Sequence, residues 1–343
     1  MVVLRHLPRR PLKLGSPAVA LGIFDGVHRG HQAILKKASV AVTFHPPPLS
    51  VLRPRRYLPR CRGSAAARVR SGHPAAAPAL LMPLERRLEA FSRVGIKTAL
   101  VVPFTRSFSQ WSPERFVEEI LVRRLKVREV VVGFNFRFGH GRRGTVKTLE
   151  RLGRRNGFRV HAVAPVRSGG VRVSSGKLRE WIRQGKLQKV RRLMKGPAIV
   201  AGKVVPGAGR GRGLGFATAN LRVESGILPP VGVYAVRVWT GGRRYAGMAN
   251  LGHRPTFRRL RDRETKRPRD PQALSLSVSQ SLSPPLLEVH LFGLSHPLYR
   301  KRLEVEFVRR LRAERRFSSP QALARQLVVD ARRAKWYSFL LND

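Results

Sequence analysis

The first half of the chain alternates short, wholly apolar runs with longer stretches that carry one apolar face. Residues 18–24 (AVALGIF) read as a buried strand, 30–39 as a short helix and 40–44 as the next strand, which makes a βαβ unit. Residues 46–79 are rich in Pro, Arg, Ala and Gly, show no clear period and read as a long, mobile loop. Periodicity then returns: helix over 84–94, strand over 98–102, helix over 113–125 behind a Ser112 cap, strand over 129–132, helix over 146–155 and strand over 159–163. Strands alternating with helices predict an α/β unit whose parallel sheet is covered on both faces. Residues 177–194 read as two short helices.

After Gly196-Pro197 the pattern changes. Residues 199–205, 233–238, 245–250, 286–292 and 303–308 are short and strand-like, separated by Gly and Pro, and predict a small antiparallel β-barrel. Residues 320–337 close the chain as a helix with Leu323, Leu327 and Ala331 on one face. The polar, Ser- and Arg-rich stretch 257–286 reads as a flexible insertion. No internal repeat is present. The expected division is residues 1–190 and residues 191–343.

Composition narrows the picture. A chain of 343 residues exceeds one ordinary core, which agrees with two units. Cys61 is the single cysteine, so an internal disulfide framework and a multi-cysteine zinc site are excluded, and a reducing, cytoplasmic setting is expected. Residues 1–14 are Arg-rich and lack acids, as organellar presequences do, but apolar strand residues follow at Ala18 and the segment is read as mature protein. Apolar runs are all cut by Arg, Pro or Gly, well short of the ~20 residues that span a bilayer.

The formal net charge is +50. The basic residues lie in nearly every segment, for example Arg123-Arg124, Arg191-Arg192 and Arg332-Arg333, without the recurring aromatics of an RNA-stacking surface. Two accounts stand: an Arg-favouring genome acting on solvated positions, or a surface that holds polyanions without specificity. Specific nucleic-acid recognition is not expected.

Chemistry concentrates in two places. Residues 22–31 (GIFDGVHRGH) leave the first strand and open a helix, where backbone N–H groups and the helix dipole hold phosphate. His28 and His31 flank Gly30, so both imidazoles can address one triphosphate and stabilise charge on its α-phosphoryl group. A bare His-x-Gly-His is equally a pair of surface histidines at a turn. The longer string resembles the signature of the FAD synthetase module of bifunctional bacterial riboflavin kinase/FAD synthetases, which are HxGH nucleotidyltransferases with a Rossmann-like sheet. Val42-Thr43-Phe44-His45-Pro46, residues 133–139 (GFNFRFG) and Arg172-Val173-Ser174-Ser175 with Leu178-Arg179 resemble later segments of that family in order. The resemblance implies transfer of an adenylyl group from ATP to FMN, with His28 and His31 at the reacting phosphate. It implies ATP contacts from Gly22, Phe24, Asp25, Gly30, Arg172, Ser174, Ser175 and Arg179, and a flavin contact from Asn135. Asp25 reads equally as a Mg²⁺ ligand or a turn aspartate.

The second place is residues 202–221 (GKVVPGAGRGRGLGFATANL), whose glycines suit a connector or a phosphate loop. Gly215-Phe216-Ala217-Thr218-Ala219-Asn220 resembles the riboflavin kinase G-F-P-T-A-N motif. Segments at 232–236, 250–257, 287–291, 298–299 and 312–317 resemble that family in order. This implies an ATP site using Gly215, Thr218 and Asn220, Mg²⁺ held by Thr218 and Asn220, and Glu288 as the base for the ribityl hydroxyl. From the residues alone, Glu288 in an apolar strand reads as a cross-strand ion pair. Together the resemblances imply riboflavin to FMN to FAD, with ATP as co-substrate and Mg²⁺.

Three departures are visible. Gly176 stands where the family has Thr, the stretch from His31 to Thr43 is short, and Ala217 replaces Pro. The first two favour, as an alternative, riboflavin kinase alone with impaired adenylyl transfer. A polyanion-binding protein on a decayed scaffold is the reading from a different class.

Overall fold

A computed structural model describes residues 1–8, 10–52, 79–206, 216–252, 286–294, 298, 300–315 and 317–339. The sheet unit holds six parallel strands in the order β1-β4-β3-β2-β5-β6: β1 Val2–Leu4, β2 Ala18–Leu21, β3 Val40–His45, β4 Thr98–Pro103, β5 Glu129–Gly133 and β6 Arg159–Val163. Alternation within the central strands assigns each side chain to a face. Val19, Leu21, Val40, Val42, Leu100, Val102, Val130 and Val132 join one core, and Ala20, Ala41, Ala99, Val101 and Val131 join the other. Helices Arg29–Leu35 and Leu84–Val94 cover the second face, and Val146–Asn156 and the helix starting at Pro113 cover the first.

A short antiparallel pair, β7 Arg167–Ser168 and β8 Val171–Arg172, follows the sheet. The second unit is a closed six-stranded barrel in the order β10-β13-β12-β11-β14-β9: β9 Ile199–Val205, β10 Ala219–Ser225, β11 Gly232–Thr240, β12 Arg243–Gly252, β13 Leu286–Leu291 and β14 Arg302–Arg312. All its pairings are antiparallel. Its interior is apolar, and helix Pro320–Phe339 lays Ala331 and Ala334 on Ala235, Met248 and Val308 outside the barrel wall. Between the units, Leu187 at the start of helix Leu187–Leu193 packs against both cores.

Several sequence expectations need correction. Residues 2–4 form an edge strand beside β4 where none was expected. Residues 48–52 of the expected loop form a helix, while 53–78 lie outside the described residues. The helix begun at Pro113 widens to a π-helix over Val117–Arg124. The barrel gains β10, because the Gly-rich surroundings of residues 219–225 mask its alternation. The insertion at 257–286 lies outside the described residues except for Leu286. Among the described residues, no helix is long and apolar enough to cross a membrane.

Candidate active sites

The strands β2 and β5 are neighbours, although the chain builds β3 and β4 between them. Loops leaving their carboxyl ends diverge and open a crevice, as at any switch point of a parallel sheet. Here it is a cleft of about 290 Å³, lined by Gly22, Phe24, His28, Gly30 and His31 from the first loop, Asn135 after β5, and Arg172, Ser174 and Ser175. Residues separated by more than a hundred positions thus line one cleft.

The loop is held in an uncommon backbone shape. Phe24, Gly26 and Val27 have φ of 52°, 88° and 35°, and left-handed conformations cost non-glycine residues about 1–3 kcal/mol each unless the surroundings impose them. Side chains impose them here. Thr43 Oγ1 donates to the Ile23 carbonyl at 3.2 Å and Arg87 Nη1 to the same oxygen at 2.5 Å. Ser175 Oγ donates to the Asp25 carbonyl, and Gln32 Nε2 to that of Val27, both at 2.9 Å. The Asp25 carboxylate accepts the N–H groups of Leu81 at 2.9 Å and Met82 at 3.3 Å, and the Arg179 guanidinium at 2.5 Å.

Asp25 and Arg179, expected at the ATP site, are not among the residues that line the cleft, and their side chains are joined to each other. Burial pushes the Asp25 carboxyl up, and Arg179 with the backbone donors pulls it back.

His28 caps helix Arg29–Leu35, its Nδ1 accepting the His31 N–H at 3.3 Å. The two rings stack with centroids 3.6 Å apart and an interplanar angle of 18°. Gly30 permits this, since a Cβ there would lie 3.2 Å from the His28 ring. Burial lowers the His28 pKa to about 4. Burial also holds His31 well below its usual value, helped by the charges of His28, Arg87 and Arg179. Both rings are therefore neutral at pH 7, and His28, accepting at Nδ1, carries its proton on Nε2.

Opposite the histidines, helix Ser175–Arg183 starts at the cleft with Ser174 as its N-cap, accepting from Lys177 N at 3.2 Å. Its first-turn N–H groups and dipole make an anion-binding end. Gly176 leaves space: a Cβ there would have only Ser174 Oγ nearby, at 3.9 Å. Arg172 is exposed, with its guanidinium 5.7 Å from the centre of the Phe134 ring.

On the barrel, register brings the second set together. Asn220 of β10 pairs with Glu288 of β13, and Glu288 pairs with Asn250 of β12. Their neighbours Leu221, Leu287, Val289, Ala249 and Leu251 point into the core, so Asn220, Glu288 and Asn250 form a row on the outer wall. Thr218, just before the start of β10, is exposed, while Asn220 is buried and Glu288 half-buried. Glu288 thus lies between two asparagines and outside the apolar interior. Beside this row His290 Nδ1 donates to the Ala217 carbonyl at 2.8 Å, and the ring meets the edge of Phe216. Gly215, residues 253–257 and Tyr299 lie outside the described residues.

Sequence reasoning missed two participants. Asn250 was quoted only within a motif, and its register with Glu288 appears only once β12 and β13 are aligned. Arg87 had a readable signal: a cation interrupting the apolar face formed by Leu84, Leu88 and Phe91.

A loop with paired histidines at a sheet switch point, facing a helix N-terminus, defines the nucleotidyl-transfer class, here joined to a barrel with an oxygen-rich outer row. The FAD synthetase family model matches residues 13–177 and the riboflavin kinase model residues 194–338. The chain is 30% identical to the bifunctional riboflavin kinase/FMN adenylyltransferase of Bacillus subtilis, over 93% of this chain and 92% of that one. It is 31% identical to that of Escherichia coli K12 (91% and 90%) and 32% identical to that of Haemophilus influenzae (98% of each). A solved Streptococcus pneumoniae structure described as a macrolide-efflux protein shares the fold with TM-score 0.69 at 24% identity, covering 96% of this chain and 97% of that one. The chain belongs to the bifunctional riboflavin kinase/FMN adenylyltransferase family.

Proposed function

We propose that the chain phosphorylates riboflavin to FMN on the barrel and transfers an adenylyl group from ATP to FMN in the cleft of the sheet unit, with release of pyrophosphate. The carrying observation is that each module retains its own chemical constellation within one chain: His28, Gly30 and His31 in one cleft with Ser174, and Asn220 paired with Glu288 on the barrel just after Thr218. The activities divide between residues 1–190 and 191–343.

In the cleft, the triphosphate lies between the histidine loop and the N-terminal turn of helix Ser175–Arg183, with Arg172 as a mobile cation. His28 and His31 donate N–H groups to the α-phosphoryl oxygens as charge builds there, and Asn135 positions the flavin. Positioning and fixed dipoles suffice, since the FMN phosphate is itself the nucleophile.

On the barrel, Glu288 accepts the proton of the ribityl 5′-hydroxyl as that oxygen attacks the γ-phosphorus of ATP. Thr218 and Asn220 offer hard oxygen donors that would hold Mg²⁺, which would supply positive charge to neutralise the phosphates. Among the described residues no cluster of three His, Cys, Asp or Glu competes as a metal site. The distributed positive charge also attracts polyanions without specificity, weakening with salt.

Purified protein with riboflavin, ATP and Mg²⁺ is expected to yield FMN and then FAD by chromatography. FMN without FAD would reduce the function to the kinase alone.

A further inference from the structure

Arg87 is fully buried, at 0% exposure, on the apolar face of helix Leu84–Val94 beside Leu84, Leu88 and Phe91. The packing of that helix needs no cation, because an aliphatic side chain would complete the stripe. One nitrogen, Nη1, donates to the Ile23 carbonyl at 2.5 Å and lies 3.5 Å from Thr43 Oγ1. The other two, Nε and Nη2, have no partner among the described residues.

Among the described residues, the charge has no carboxylate of its own. Asp25 is the carboxylate that acts on Arg87, and it is already paired with Arg179 at 2.5 Å. Two guanidiniums and one carboxylate leave the layer behind the loop net cationic. A buried charge that shares its counter-ion is costly to keep dehydrated, so the site is electrostatically incomplete. It would be completed by negative charge on the other side of the loop, where Ile23, Phe24 and both histidines line the cleft.

We infer that Arg87 is a positioning residue for adenylyl transfer: it ties back the Ile23 carbonyl and sets a fixed positive charge behind His28 and His31 that favours the negative charge developing on the α-phosphoryl oxygens. The inference rests on the adenylyl-transfer reading of this cleft. Thr43 already supplies one hydrogen bond to the Ile23 carbonyl, so geometry alone does not require a second donor that is charged. The low dielectric behind the loop makes such a charge effective at a distance where a solvated one would be screened. Its position also disfavours protonation of His31, which keeps that ring an uncharged donor.

The test compares full-length wild type with R87M, which keeps the length without the charge, and R87K, which keeps the charge. FAD formation from supplied FMN and ATP is measured alongside FMN formation from riboflavin. R87M is expected to lower the kcat of FAD formation about ten- to a hundredfold with less than about a threefold change in the KM for ATP. FMN formation should be unchanged, and R87K should recover most of the loss. If R87M does not fold by circular dichroism, R87Q, which retains a donor for Ile23, takes its place with the same expectation. The inference is overturned if the neutral variant keeps its kcat within about twofold, or if R87K falls as far as the neutral variant, which would make shape rather than charge the requirement. Wild type that forms no FAD from FMN would instead remove the reading beneath it.

Discussion

Arg86 Nε donates to Glu304 Oε2 at 2.8 Å, joining helix Leu84–Val94 of the sheet unit to β14 of the barrel. The side chains are 16% and 19% exposed, and the Arg86 guanidinium lies 4.6 Å from the centre of the Trp239 ring. A partly shielded pair with a cation–π contact is worth more than a solvated one, on the order of 1–2 kcal/mol. Arg86→Ala is therefore expected to lower the thermal midpoint and to split unfolding into two resolvable transitions by calorimetry, with both activities retained. A single transition at the wild-type midpoint would show that this bridge does not couple the units.

His28 and Glu288 sit in different modules, which makes their variants complementary. His28→Ala removes a phosphate donor and one half of the stacked pair, and should reduce FAD formation at least about a hundredfold while sparing FMN formation. Glu288→Ala should abolish FMN formation yet leave FAD formation from supplied FMN intact. Chromatography of products with each substrate supplied separately checks both. Equal loss of both activities in either variant would contradict two independent sites.

The buried histidines also set a pH dependence. The His28 pKa is lowered to about 4 in the folded chain and returns to about 6.5 when unfolded, and His31 is lowered in the same sense. The unfolded chain thus binds more protons than the folded one between those values, so stability rises with pH there. It is fully present above about pH 6.5 and is lost as pH falls toward 4, each histidine adding a slope of up to about 1.4 kcal/mol per pH unit. Urea unfolding at pH 7, 6 and 5 measures the slope. A His28→Asn/His31→Asn double variant should flatten it.

Much of this was legible in the chain. The strands of the sheet show as apolar runs because both faces are buried, and the histidine loop shows because its glycines and histidines are local in sequence. What was not legible depends on contacts between distant segments. β10 was hidden because glycines flank its alternating residues, and the row Asn220, Glu288, Asn250 needs two strand registers that no single segment encodes. The resemblance places Asp25 and Arg179 at the ATP site, and their ion pair with the approach of Leu81 and Met82 joins positions too far apart for the sequence to show.

The helix start at Ser174 suggests a gain of function. Ser174 Oγ caps Lys177 N and Ser175 Oγ donates to the Asp25 carbonyl, so both hydroxyls already serve protein groups. Gly176, the next residue, contributes its backbone N–H alone, and a Cβ there meets no atom closer than 3.9 Å. Gly176→Thr would place an uncommitted hydroxyl on the first turn at the mouth of the cleft without steric cost, and would remove the backbone freedom that glycine carries into a helix. A hydrogen bond to a charged phosphate contributes roughly 1.5 kcal/mol, so the KM for ATP in FAD formation should fall about tenfold, while FMN formation, which uses the barrel, stays at the wild-type rate. An unchanged or higher KM would place the triphosphate away from this turn and assign its contacts to Arg172 and the histidine loop instead.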